Sequence, residues 1–213
     1  MAKLPIYVLI DSTEVMLGDP QRASQLQRII NDTFAQWWKD PNAYEMLWIS
    51  VCTVDAEFHS VSPLTQYGEF RPPPIRNSHS RCMRLGRAFH EISENIRNDC
   101  DLSSDWPPLV ISLIAATPSE RWQDDAVDLL NVIKSNDFFV CSFRTLYLFT
   151  TESLRQDFAT VIPNTCLLDE ASETIRGAYR GYFVDPPERK RRPSLPDAPV
   201  DLPPLPPGFT TMP

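Results

Sequence analysis

Short, unbroken apolar runs alternate along this chain with longer amphipathic stretches, and that alternation limits the folds open to it more than any other feature. Leu4 to Ile10 is such a run, and Met46 to Val54, Leu109 to Ala115 and Phe138 to Phe143 repeat the pattern. Runs this short that lack a period of two mark strands buried on both faces. Helical periodicities lie between them. Asp19-Pro20 offers an N-cap followed by proline at the first helical position; Leu26, Ile29, Ile30, Phe34, Trp37 and Trp38 follow at helical spacing until Asp40-Pro41. Leu85, Ala88, Phe89, Ile92 and Ile96 define a second helix, and Thr117-Pro118-Ser119 starts a third that carries Ala126, Leu129, Leu130 and Ile133. Glu57 to Leu64 reads as the hairpin partner of the second strand, at a sheet edge and ending at Pro63. Leu146 to Thr150 is apolar but short; Thr151 to Phe158 reads as a short helix, Thr165 to Leu168 as a last strand and Glu170 to Tyr182 as a last helix. Strands that alternate with helices are joined by right-handed crossovers. The expected fold is therefore α/β, a three-layer sandwich with a mostly parallel central sheet, one antiparallel edge strand and helices on both faces.

Proline sets the domain boundary. Ten of the 21 prolines fall between Pro186 and Pro213. We expect a folded domain over residues 1–183 and a proline-rich, disordered tail over residues 184–213. The formal charge of -8 argues against wrapping nucleic acid, whose phosphates would repel the chain. Nothing approaches a membrane span or a cleavable leader, and the odd, irregularly spaced cysteines read as reduced thiols, so a cytoplasmic location is expected. The chain holds no glycine-rich phosphate loop, no histidine paired at metal-ligand spacing and no serine in a nucleophile elbow, so no enzymatic activity is expected.

On open parallel sheets, ligands bind beyond the carboxyl ends of the strands. The first loop there reads Asp11-Ser12-Thr13-Glu14-Val15-Met16. The segment LPIYVLIDSTEVMLGDP resembles the opening of a von Willebrand factor A (VWA) domain of the bacterial tellurium-resistance TerY type, and WISVCTVDAEFHSVSPLTQYGEFRPPP and WPPLVISLIAATPSERW continue the resemblance over roughly residues 4 to 183. It implies a VWA/Rossmann-like sheet and, in the family, a divalent cation held by an Asp-x-Ser-x-Ser loop, a threonine and a further aspartate. Such a cation requires oxygen ligands. Asp11 remains here, and Thr13 stands at the first serine. Val15 stands at the second serine, Met83 at the threonine unless a slip offers Ser80, and Ala115 at the aspartate. The expectation is a degenerate metal site, with Asp11, Thr13 and Ser80 as vestigial candidates and no cofactor; Asp11 alone reads as a loop residue that caps backbone amides. The alternative is a reduced site that still holds Mg2+ or Mn2+ and binds ligand through it.

Two further features point to partners. Arg71, Arg76, His79, Arg81, Arg84 and Arg87 crowd a segment without acids. We read Arg76, His79, Arg81, Arg84 and Arg87, with Glu14 from the first loop, as partner-binding residues, because guanidinium groups match carboxylates and phosphates. In the tail, Arg191 and Arg192 precede Ser194, as in many kinase sites, while Pro203 and Pro206 lie in a polyproline-II-prone run suited to an aromatic groove. The resemblance implies a non-catalytic adaptor or scaffold in a bacterial kinase- and phosphatase-linked stress or defence unit. Its partners would be a protein kinase, a PP2C-type phosphatase or another VWA protein.

Overall fold

All eight residues of β1, Leu4–Asp11, are buried, as befits a strand at the centre of a parallel sheet. A computed structural model describes residues 3–37, 41–101, 105–106, 108–134, 145–159 and 165–167. After β1 come α1 (Glu14–Leu17), α2 (Pro20–Trp37), α3 (Pro41–Met46), β2 (Leu47–Val54) and β3 (Phe58–Gln66). Then follow α4 (Leu85–Asp99), β4 (Leu109–Ile114), α5 (Gln123–Lys134), β5 (Thr145–Phe149), α6 (Glu152–Ala159) and β6 (Thr165–Leu167). The strands form one sheet in the order β3-β2-β1-β4-β5-β6. β3 runs antiparallel to β2, and every other pairing is parallel. The α/β architecture expected from the alternating runs is the one observed.

Alternate residues of β1 feed two cores. Leu4, Ile6, Val8 and Ile10 pack with Leu26, Ile29 and Trp37 of α2 and Ala43 of α3. Tyr7 and Leu9 point the other way, into a cluster with Ala88, Phe89, Ile92 and Ile96 of α4, Ala126 and Leu129 of α5, and Leu154 and Phe158 of α6. Burying each large apolar side chain contributes about 1.5–3 kcal/mol, so a central strand buried on both sides carries a large share of the stability. Gly86 lets α4 and α5 approach closely. A Cβ there would lie 2.8 Å from the Arg121 carbonyl oxygen and 2.6 Å from the Asp125 carboxylate.

Several boundaries differ from the sequence expectation. The second strand starts at Leu47, because residues from Pro41 to Met46 form a helix of their own. β3 runs through Pro63 to Gln66, with register shifts against Ile49, Val51 and Cys52. Proline lacks the N–H of a ladder, and an edge strand with a bulge is where that lack is tolerated. The third helix starts at Gln123 rather than near Thr117. Ser119 directs both its N–H and its hydroxyl to the Met83 carbonyl, and Trp122 stacks on Phe158 with ring centroids 4.2 Å apart, so residues 117–122 form a loop. The short run after Thr145 is a full strand between β4 and β6. The strand expected over Phe138 to Phe143, the last helix expected over Glu170 to Tyr182, the boundary at residue 183 and the tail lie outside the described residues. Among the described residues, no helix is long and apolar enough to cross a membrane.

The amino ends of the strands are tied by a compact polar knot. Lys3 donates its backbone N–H to the Asp105 carboxylate at 3.0 Å and its ammonium to the Asp99 carbonyl at 2.7 Å. That ammonium also lies 3.5 Å from Asp105 and over the Trp48 ring. Asp105 further accepts the Asp101 N–H. The Tyr7 hydroxyl, at the level of Asp99, contacts that carboxylate and the Cys100 thiol. Burial raises the Tyr7 phenol well above its ordinary range and pushes the Cys100 thiol up to about 11.

Candidate functional site

At the opposite end of the sheet, the order 3-2-1-4-5-6 reverses direction between β1 and β4, so the loops leaving these two strands part and form a crevice. Asp11 ends β1 at this point and is fully buried. One carboxylate oxygen accepts the Thr13 N–H at 2.9 Å; the other accepts the Ala115 and Ala116 N–H groups at 3.0 and 2.7 Å. A carboxylate that takes three backbone donors is a strong, charge-assisted bridge between strand ends. Thr13 is also fully buried, and its hydroxyl has no hydrogen-bond partner. Val15 packs against the α4-side core, where Met83 is buried.

The segment from Asn77 to Arg84 is stitched over these strand ends. The Ser12 carbonyl accepts both the N–H and the hydroxyl of Ser78, each at 3.0 Å. Glu14 donates its N–H to the Ser80 carbonyl at 2.7 Å, and Arg84 donates its N–H to the Asp55 carbonyl at 2.8 Å. Ser12 in turn donates to the Val54 carbonyl through its N–H and its hydroxyl. The Ser80 hydroxyl is used within its own turn, donating to the Cys82 carbonyl and accepting the Cys82 N–H. The Cys82 thiol lies 2.9 Å from the Ser119 hydroxyl, which joins this loop to the one after β4.

Glu14, at the start of α1, is the hub of the charged surface. One of its carboxylate oxygens accepts the Asn77 side-chain amide at 2.7 Å and lies 3.2 Å from the His79 imidazole. These hydrogen bonds, Asn77 first and His79 next, and the nearby charge of Arg81 hold the Glu14 carboxyl below its ordinary range. His79 adopts a left-handed backbone at φ 59, a conformation supported by the bond from its N–H to the Asn77 side-chain oxygen. Its side chain is 82% exposed.

The basic residues divide into two groups. Arg84 lies 3.9 Å from Glu120, and Arg87 lies 3.9 Å from Glu91. Arg76 and Arg81 are exposed and, among the described residues, form no ion pair. The structure thus brings Glu14 and His79 together with Arg81 beside them, and sets Arg84, just before α4, and Arg87 on α4 against acids of their own. Sequence reasoning missed Asn77, Ser78 and Glu120, whose partners are distant in the chain. Arg191, Arg192, Ser194, Pro203 and Pro206 lie outside the described residues. Among the described residues, no three His, Cys, Asp or Glu side chains cluster as metal ligands.

No protein-family profile and no curated protein matches the sequence. Solved structures do match. The proximal thread matrix protein 1 of the mussel byssus aligns over 82% of this chain at TM-score 0.58 and 12% identity. The chain spans about half of that protein, 46% of its length. One structure of the same mussel protein is described as having a zinc-occupied MIDAS motif. The SpRpn10 VWA domain aligns over 81% of this chain and 93% of its own, at TM-score 0.52 and 16% identity. The pilus adhesin SpaC of Lactobacillus rhamnosus GG aligns over 83% of this chain and 30% of its own, at TM-score 0.58 and 10% identity. At these identities the likeness concerns the fold, and the fold is that of a VWA domain.

Proposed function

We propose that this chain is a non-catalytic interaction module that works without a bound cation and meets its protein partner through the loop surface over β1 and α4. The observation that carries this reading is the engagement of Asp11. Its carboxylate is taken up by the Thr13, Ala115 and Ala116 amides. Val15 and Ala115 have no side-chain oxygen to offer, and the Ser80 hydroxyl is turned into its own loop. A hard cation needs about six oxygen ligands. This donor set does not fit one, which is the sense in which the site is degenerate. The exposed arginines supply positive charge in its place, suited to an acidic or phosphorylated group.

The TerY-like resemblance extends this to a cytoplasmic adaptor in a bacterial stress or defence unit, with a protein kinase, a PP2C-type phosphatase or another VWA protein as partner. Affinity capture from the native host should enrich such a protein, and charge reversal at Arg81 and Arg84 should abolish the enrichment. Capture unaffected by the double reversal would rule out this surface.

A second reading has one observation in its favour. The buried, unpartnered Thr13 hydroxyl adjoins Asp11, as it would in a reduced site for Mg2+ or Mn2+ built from Asp11, Thr13 and Ser80. Calorimetric titration separates the two. The interaction module shows no saturable heat with either cation and no change of melting temperature with chelator; saturable binding decides for the reduced site.

A further inference from the structure

The loop surface already holds one carboxylate, its own. Glu14 reaches across to Asn77 and His79, and its position depends on the absence of a side chain at Gly18, where a Cβ would lie 2.5 Å from the Glu14 carboxylate. The backbone around it is fixed by the Glu14-to-Ser80 and Ser78-to-Ser12 bonds. The carboxylate itself is not. It belongs to a side chain 38% exposed, and its imidazole partner is 82% exposed. Ion pairs so open to water are weak and readily exchanged. Arg76 and Arg81 stand exposed on the same loop with no ion pair among the described residues. In a chain of net charge -8, this is a patch to which an acidic partner would be steered.

We propose that Glu14 is an internal stand-in for a partner's acidic side chain. An aspartate or glutamate of the partner displaces it from Asn77 and His79 and gains Arg81 and Arg76 as well. The group already seated identifies the ligand chemistry as a carboxylate, held by one amide and one imidazole. Glu14 thereby weakens the surface toward general anions and sets a threshold that a multiply acidic segment passes. The proposal rests on the interaction-module reading and adds to it the partner's chemistry and a built-in competitor.

The test uses the full chain and an acetylated tetraglutamate peptide, with affinity followed by NMR at low salt. The peptide should shift the side-chain amide resonances of Asn77. Glu14→Gln should tighten binding several-fold, on the order of threefold to tenfold. Asp128→Asn, which removes a charge from an exposed position on α5, should change it far less. Arg81→Ala should weaken it. Glu14 is exposed enough for the glutamine variant to fold, which its amide spectrum and melting point would verify, and the Asn77 shift in the parent protein gives a readout independent of that variant. If Glu14→Gln binds no tighter than Asp128→Asn while Arg81→Ala still weakens binding, the stand-in role is wrong and the interaction surface survives. If Arg76→Ala and Arg81→Ala together leave affinity unchanged, both fail. A matched phosphoserine peptide that binds tighter than tetraglutamate and ignores Glu14 also overturns the proposal.

Discussion

The two ends of the sheet are both rich in polar side chains, yet among the described residues they differ in whether the charges they present are matched. At the amino ends of the strands, Lys3, Asp99, Asp105, Tyr7 and Cys100 satisfy one another, and Asp105 keeps only 8% of its surface exposed. At the carboxyl ends, a buried layer of the same kind, Asp11 with its amides, lies beneath an exposed layer in which Arg76 and Arg81 face water. A polar group taken out of water has to be matched internally. One left in water has no such obligation, so unmatched cations on an ordered loop are available for a partner.

The largest expected effect would blur that contrast. Asp11→Ala leaves three backbone N–H groups at the strand ends without their acceptor, and should destabilise the fold by roughly 3–5 kcal/mol in urea unfolding. A loss below about 1 kcal/mol would mean that water replaces the carboxylate. The crevice would then be more open than its hydrogen bonds indicate. At the other end, Asp105→Ala removes the acceptor of the Lys3 and Asp101 amides and the mate of the Lys3 ammonium. It should cost about 2–3 kcal/mol, with no effect on partner binding.

Alkaline pH should sharpen the comparison further. The Cys100 thiol has a raised pKa in the folded state, so its contribution is complete below about 9, where an unfolded thiol ionises, and is lost as pH rises toward about 11. Allowing for partial solvent access, the loss is about 1–2 kcal/mol. Thermal melts should fall across that window, with the buried Cys52 thiol and Tyr7 phenol contributing in the same direction, and Cys100→Ala should flatten part of the fall; an unchanged slope would remove Cys100 from its sources. The smallest effect on stability belongs to the exposed layer. Arg76→Ala with Arg81→Ala should shift unfolding by less than about 0.5 kcal/mol while weakening partner binding. A larger stability loss would place these arginines with the scaffold.

How much of this could be read from the sequence follows from the range of the interactions. The strands at Leu4 and Leu109 were legible because burial on both faces leaves an unbroken apolar run, and the helices at Pro20 and Leu85 because burial on one face leaves a helical period. Helices as short as α1 and α3, with 4 and 6 residues, leave no trace of period. Pro63 was read as a strand end because proline lacks a ladder N–H, and the register shifts against β2 that carry the strand past it are a property of the pairing. The arginine cluster was visible as composition. Its division was not, because Glu120 pairs with Arg84, and Asn77 reaches Glu14 across 63 positions of chain. The role of Asp11 as an amide cap could be anticipated from its place at a strand end. Its two most distant donors could not, because they are alanine amides more than 100 positions away, and backbone donors carry no residue signature.

β3 has a consequence for how this protein behaves in company with its own copies. An outermost strand is an open invitation for a neighbouring molecule to add another row to the sheet and so begin a fibril. Here that strand withholds one amide at Pro63 and slips its register beside Val51 and Cys52, so no regular run of donors and acceptors is on offer. Among the described residues the sheet ends itself on that side, and copies of the chain are kept from extending it there.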